Sequence, residues 1–176
     1  MNLSRQKLIL IDGPMGAGKT TTASLLYKRL GYTAFLGLGH IKWFISKFPM
    51  TDKASRMVSK VILTMCKCYL DQGLPVVVEQ SFREKGMMTP YLNLAKKKKI
   101  PVLIYELIAP KEILLNRIKN RPNLCPEKRK YPLWRIKRCL NSYPRQSFAP
   151  IRLNFDSSKL SPRQIVNRIV KDIKAA

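Results

Sequence analysis

The chain has 176 residues, and its thirty-four Lys and Arg against ten Asp and Glu give a net charge of +24 at pH 7. The length suits one domain, residues 1–176, with a sizeable core, and the longest apolar runs (Leu8–Ile11, Val76–Val78) are strand-sized, which excludes a membrane-spanning helix. The charge points to a polyanionic partner, with nucleic acid the first candidate, or else to a densely charged solvated surface. The N-terminal stretch MNLSRQKLILID has too short an apolar core for a signal peptide and reads as the approach to a strand over 7–11. A helix follows, with Leu25, Leu26 and Leu30 on one face and Gly31 as its stop. Residues 33–36 make a short second strand and 40–48 a short helix. A longer helix runs over 53–72 and ends at Gly73. Pro75 introduces a third strand, LPVVVEQ, and a helix over 84–99 leads to a fourth, PVLIYELI. Another helix starts near Pro110, a favoured first-turn residue. Residues 120–146 are rich in proline and basic residues. Residues 151–155 form a fifth strand, and Ser161-Pro162 opens a last helix with Ile165, Ile169 and Ile173 on one face. Strands alternating with helices imply a parallel sheet covered on both faces, and the continuous apolar strands fit that burial. The run Lys96–Lys99 closes a helix, where cations complement the dipole.

The stretch GPMGAGKT, Gly13–Thr20, matches G-x-x-x-x-G-K-[ST] in full, and it sits after a buried strand and opens a helix. Its glycines let the backbone turn tightly enough to aim several N–H groups at phosphate oxygens, and the helix N-terminus adds positive potential. Gly13, Pro14, Met15, Gly16, Ala17, Gly18, Lys19, Thr20 and Thr21 are the expected nucleotide-binding residues. Lys19 is placed to reach the β- and γ-phosphates and Thr20 to put its hydroxyl on Mg²⁺.

Here the chain resembles the small P-loop kinases: nucleoside-monophosphate kinases, shikimate-type kinases and polynucleotide kinases. The resemblance rests on Gly13–Thr20, the strand-helix order, the pair Arg117-x-x-x-Arg121 and the closing stretch NFDSSKLSPRQIVNRIV, and it covers almost the whole chain. It implies an α/β three-layer P-loop kinase fold, with a five-stranded parallel sheet, helices on both faces and a basic lid over about 117–146. It further implies a cytoplasmic enzyme that moves the γ-phosphate of ATP, with Mg²⁺, to a hydroxyl acceptor. Arg117 and Arg121 open the lid, one near the adenine or α/β-phosphates and the other near the γ-phosphate, and the turn after the last strand lies against the adenine. Two acceptor classes compete: a nucleic-acid 5′-hydroxyl, which fits the charge, and a small nucleoside, nucleotide or other metabolite, which fits the compact size. The runner-up class is a nucleic-acid-binding ATPase or a non-catalytic nucleotide-binding module, although the elements of a motor ATPase do not stand out.

Ligands of open α/β sheets bind beyond the carboxyl ends of the strands, and three acids stand there: Asp12, Glu79 and Asp156. Glu106 lies inside a strand. Glu79 is the strongest candidate, a single carboxylate delivered by an apolar strand. Resembling kinases use an acid here on Mg²⁺ through water or on the acceptor; the plainer alternatives are a helix cap or a pair with Arg83. Asp12 either joins the metal shell through water or braces the loop through Thr20 or backbone N–H groups. Asp156 is expected to cap the Ser157-Ser158 turn.

Between Lys111 and Arg145 eleven Lys and Arg face only Glu112 and Glu127. Arginines in a kinase lid stabilise charge on the moving phosphoryl group, and two suffice for ATP. A helix beginning at Pro132 places Trp134, Lys137 and Arg138 on adjoining faces, with Trp134 expected in the core or, alternatively, stacked on a base. The four cysteines, at 66, 68, 125 and 139, and the single histidine give a mixed metal site little support; Cys66 and Cys68 point to different helix faces, and all four read as free thiols of a reducing cytosol.

The corner LGLGHIKWFISKF raises the main difficulty. Resembling kinases often carry an acid at the end of the second strand, and Leu38-Gly39-His40 supplies none. Ile41, Phe44, Ile45 and Phe48 form an i, i+3, i+4, i+7 stripe expected to face the core. Trp43, His40 and Lys47 share the other side, with Lys42 also outside the stripe. His40, Lys42, Trp43 and Arg83 are the expected acceptor-binding set, His40 being either a general base or a cap. The sharper expectation transfers the missing acid's role to Glu79.

Overall fold

The computed structural model describes residues 6–82, 86–120, 133–141 and 151–176. Five strands, β1 (Leu8–Asp12), β2 (Ala34–Gly37), β3 (Val76–Glu79), β4 (Val102–Ile108) and β5 (Leu153–Asp156), form one sheet in the order β2-β3-β1-β4-β5. All pairings are parallel, with Ile11 opposite Glu79 on one side of β1 and Asp12 opposite Glu106 on the other. The expected five-stranded parallel sheet is the observed one.

Alternation along the strands sorts two cores. Ile9 and Ile11 of β1, Val77 of β3 and Leu103 and Tyr105 of β4 face one layer, where α1 (Lys19–Leu30), α5 (Lys111–Lys119), α6 (Leu133–Asn141) and α7 (Pro162–Ala175) bring Leu26, Leu114, Ile136 and Ile169. Leu8 and Leu10, Val76 and Val78, and Ile104 face the other, where α3 (Asp52–Asp71) and α4 (Thr89–Lys98) bring Val58, Ile62, Leu70 and Tyr91. Every residue of β1 from Leu8 to Ile11 is fully buried. Each such side chain contributes about 1.5–3 kcal/mol relative to exposure, which is why continuous apolar runs fix the centre of the sheet.

The helix starts follow from local chemistry. Thr51 caps α3, its hydroxyl accepting from the Ala54 N–H at 3.2 Å. Ser161 and Gln164 form a reciprocal capping box on α7: the Ser161 hydroxyl accepts from Gln164 N–H at 3.3 Å, and Gln164 Oε1 accepts from Ser161 N–H at 2.9 Å. Away from the site, Tyr105 donates to Asp172 Oδ2 at 2.8 Å, Arg152 pairs with the same carboxylate, and Lys7 donates to the Ile173 carbonyl at 3.0 Å. Burial raises the Asp172 carboxyl, but the Arg152 and Tyr105 hydrogen bonds outweigh it and hold the group below its ordinary range.

Three expectations are corrected. The helix expected over 40–48 is instead a single turn, α2 (Leu38–Ile41), followed by a 3₁₀ turn over Lys42–Phe44. The chain turns extended at Ile45, and Lys47 takes φ 50°, so a 3.6-residue spacing no longer marks one face. Ile41 and Phe48 are buried as expected, while Phe44 is 79% and Ile45 37% exposed. The helix expected over 84–99 begins only at Thr89, where Pro90 fits the first turn after Gly86 at φ 89°. Trp134, expected in the core, is 58% exposed, because Ile136 and Leu140 form the apolar face of α6. The lysines closing α4 stand as expected, and Lys98 bonds Asp71 of α3. Cys66 is buried, which pushes its thiol up to about 12, whereas Cys68 is exposed; Cys125 and most of the lid segment lie outside the described residues.

Replacing Ser161 with Ala removes one half of the capping box. The expected loss is about 1 kcal/mol of unfolding free energy, read as a lower urea midpoint at unchanged m-value.

Candidate active site

β1 ends at Asp12 and the chain turns at once into the glycine loop. Gly13 has φ 138°, and a Cβ there would lie 2.2 Å from the Leu107 carbonyl oxygen, so only glycine fits. Gly16 has φ 86°, and its Cβ would lie 2.8 Å from the Leu114 carbonyl oxygen. Gly18, at φ 86°, is the N-cap of α1; no side chain caps this helix, and its first turn holds no acid. The first-turn N–H groups have no acceptor within the helix, so this end suits an anion. Lys19 is buried and donates from Nζ to the Pro14 carbonyl at 2.9 Å, drawn back across the loop. Pro14 and Ala17 are buried, Met15 and Thr20 half-buried, and Thr21 exposed.

Asp12 Oδ1 accepts two backbone N–H groups, from Gly13 at 2.6 Å and from Phe82 at 3.0 Å. Ser81 adds a third tie, donating from Oγ to the Gly13 carbonyl at 3.0 Å. The phosphate loop is thereby fastened to the segment that follows Glu79. Of the two roles expected for Asp12, bracing through backbone N–H groups is the visible one. Glu106 stands opposite Asp12 in the sheet; burial, and then the Asp12 charge, raise its carboxyl above the ordinary range. Neither Ser81 nor Glu106 was singled out by the sequence as part of the site. The parallel register that brings Glu106 beside the loop has no local signature.

The corner expected to bind the acceptor lies at the carboxyl ends of β2 and β3, where Gly37 is opposite Glu79. Glu79 is 4% exposed, and among the described residues its Oε2 has no hydrogen-bond partner. A Cβ on Gly37 would meet His40 Nδ1 at 2.7 Å, Phe35 Cζ at 3.1 Å and Glu79 Oε2 at 3.2 Å. The imidazole and the orphaned carboxylate oxygen therefore converge over the bare backbone of Gly37. His40 is exposed, but its ring is held edge-on to Phe35, centroids 5.3 Å apart, and Phe35 in turn stacks on Tyr27 of α1. Lys42 is buried rather than presented on an open face, with Nζ 4.4 Å from the centre of the Trp43 ring. Trp43 is half-buried against Phe48. Arg83 lies outside the described residues.

On the nucleotide side, Arg117 of α5 donates from Nη1 to Ser157 Oγ at 3.0 Å and from Nη2 to the Ser157 carbonyl at 2.7 Å. Asp156 caps this turn as expected, its Oδ1 accepting from Ser158 N–H at 2.9 Å and Ser158 Oγ at 2.5 Å. Those bonds hold the Asp156 carboxyl below its usual range. Arg121 lies outside the described residues. From α6, Arg138 Nη1 pairs with Asp52 Oδ2, the first residue of α3, at 2.8 Å. Among the described residues no three of His, Cys, Asp and Glu converge on a metal position, and no helix is long and apolar enough to cross a membrane.

A family model described as an AAA domain matches residues 8–144. The chain belongs to this family. No curated protein sequence matches this AAA-domain chain. Its fold recurs in solved structures. The APS kinase of Mycobacterium tuberculosis, in complex with AMPPNP and APS, superposes with a TM-score of 0.69 at 16% identity, covering 98% of this chain and 99% of that one. The shikimate kinase of Acinetobacter baumannii, in complex with shikimate, gives 0.61 at 23% identity, covering 98% and 95%. A tunicamycin resistance protein of Deinococcus radiodurans gives 0.66 at 20%, covering 96% of each chain. The shared feature is the α/β P-loop kinase fold.

Replacing Gly37 with Ala forces the imidazole of His40 to move while the sheet stays intact. Since His40 is the sole histidine, its ring signals in a proton NMR spectrum report that movement directly. They are expected to shift with little change in thermal stability, and unshifted signals would contradict the packing around Gly37.

Proposed function

We propose that this chain is an ATP-dependent phosphotransferase that works as a single domain under a basic lid and moves the γ-phosphate of ATP, with Mg²⁺, to a hydroxyl acceptor. The reading is carried by one juxtaposition: an uncapped, glycine-lined helix start after β1 beside a buried carboxylate on β3, the next strand, one of whose oxygens has no hydrogen-bond partner among the described residues. The residues fit the nucleotide, since the backbone of Gly13–Gly18 and the start of α1 form a cradle for an anion with no acid to repel it. When bound, ATP would supply the phosphoryl group and Mg²⁺ would neutralise phosphate charge.

The chain's own residues divide the remaining work. Lys19 turns from the Pro14 carbonyl to the terminal phosphates, and Thr20 offers its hydroxyl to the ion. Asp12 keeps the loop in place and supports the ion through water. Glu79 accepts the proton of the acceptor hydroxyl as its oxygen bonds to phosphorus and the bond to the ADP oxygen breaks. His40, Lys42, Trp43 and Arg83 bind the acceptor. Arg117 and Arg121 cover the nucleotide; the Ser157 turn, which Arg117 holds, supports the assignment of Arg117 to the adenine side. A nucleic-acid 5′-hydroxyl and a small nucleoside or nucleotide are the two acceptor classes. The absence of any carboxylate in Leu38-Gly39 favours a second reading, hydrolysis without transfer by a nucleic-acid-binding ATPase or a non-catalytic nucleotide-binding module. With γ-labelled ATP, label confined to inorganic phosphate across a mixed acceptor panel would select that reading.

Lys19→Ala is expected to cut transfer by at least about a hundredfold while leaving the circular dichroism spectrum and melting temperature near those of the parent. Persistent transfer would displace the reaction from this loop. Glu79→Gln is expected to lower kcat by about 10²–10⁴, more than His40→Ala does; the reverse ranking would make His40 the base.

A further inference from the structure

α3 leaves the acceptor corner and runs down the outside of the sheet. Its inward face is fixed by Ala54, Val58, Ile62, Cys66 and Leu70, all buried. On the opposite face Lys53, Arg56, Lys60 and Lys67 are exposed and recur at i, i+3, i+7 and i+14. At 100° per residue the four fall within one narrow stripe, about 21 Å long at a rise of about 1.5 Å per residue. Alongside it Met57 and Val61 are 46% and 43% exposed, an apolar flank beside the cations. Lys67 meets Asp71 at 3.5 Å, Lys98 of α4 bonds the same carboxylate, and Lys96, Lys97 and Lys99 stand exposed next to them. At the corner end Phe44 projects into solvent, and the Arg138–Asp52 pair draws the exposed Trp134 and Lys137 face of α6 toward the start of α3.

We propose that the outward face of α3, from Lys53 to Lys67, is a docking track for single-stranded nucleic acid. The start of α3 packs against α2, which carries His40; that the bound strand presents its end at this corner, unlike the track, rests on the phosphotransferase reading above. The chemistry is complementary on two counts. A line of cations follows a phosphodiester backbone, and the stripe is long enough for a single-strand site of roughly four nucleotides. Met57 and Val61 beside the line, and Phe44 and Trp134 at its corner end, offer apolar and aromatic surface to unstacked bases, which a duplex keeps covered. A membrane surface would attract the same cations and aromatic side chains, and the vesicle arm of the test below separates it from the single strand.

The test is fluorescence anisotropy of a labelled single-stranded oligonucleotide with the full chain, without ATP. The variant Lys53→Glu with Lys60→Glu is compared with Arg168→Glu and Lys171→Glu, an equal charge change on exposed positions of α7. The α3 pair is expected to weaken binding at least about tenfold at 0.1 M salt and to flatten the slope of log affinity against log salt by about 1.4, the value for two lost single-strand phosphate contacts. The α7 pair is expected to change both far less. Equal losses in the two pairs would overturn the track and reduce the binding to net charge, as would equal affinity for heparin or for anionic lipid vesicles. MgATP binding, followed separately, is expected to be unchanged in both pairs. If the α3 pair alone loses oligonucleotide but the parent never labels its 5′ end, the track stands and the nucleic-acid 5′-hydroxyl falls as acceptor; the phosphotransferase reading falls with it when small nucleosides and nucleotides also take no label.

Discussion

The carboxylate of Asp12 holds two backbone N–H groups from separate segments on one oxygen. One belongs to Gly13, the first residue of the phosphate loop, and the other to Phe82, beyond the end of β3. A buried N–H left without an acceptor costs about 1–3 kcal/mol, so removing this group would loosen two segments at once. Lys19 rides on the first segment and Glu79 on the strand leading into the second. Their separation is thus set by the sheet register and locked again just above it, and Ser81 adds a third bond to the same peptide. Lys19 and Glu79 are thus carried on segments of fixed spacing. On the proposed phosphotransferase reading that is the main demand, since positioning and charge neutralisation matter more in phosphoryl transfer than covalent help from the protein.

Much of this was legible in the sequence because burial on both faces leaves strands as continuous apolar runs. LILI and VVV could be read as central strands, GPMGAGKT as the turn between strand and helix, and Ser161-Pro162 as a helix start. What escaped reading was non-local or sub-periodic. The face of residues 40–48 was misjudged because the helix breaks after one turn into 3₁₀ geometry, and a left-handed Lys47 then resets the direction of the chain. Glu106 passed as an ordinary strand residue because only the β1–β4 register places it beside Asp12. The bond between Arg117 and Ser157 spans forty residues, and no spacing rule reaches that far. Trp134 looked like core because it is large and apolar, whereas the buried Ile136 and Leu140 of α6 settled which side turned inward.

The loop and the corner share one helical layer. α1, α5 and α7 surround the loop and the Ser157 turn. Val77 of β3 and Phe35 of β2 face that same layer, and alternation along the strands puts Glu79 and Gly37 there too, while α3 and α4 cover the other face of the sheet. α6 bridges the two: Ile136 and Leu140 pack into the first core, while Arg138 reaches the first residue of α3 in the second. An ion pair exposed to this degree adds little to stability. Its value is geometric, since it ties α6 to the first residue of α3.

Gly37 carries no side chain, and the space it leaves is already occupied by groups from three other residues. A methyl group at this position and the present ring at position 40 cannot coexist without displacement. Substitution histories at the corner therefore have a preferred order. Alanine at 37 needs only the His40 ring to turn away, whereas anything larger needs position 40 to change first, to something shorter. A combinatorial library that varied the two sites together would recover this as epistasis, with residues larger than alanine at 37 surviving only on altered backgrounds at 40. Engineering a wider or narrower acceptor pocket would have to follow the same sequence of steps.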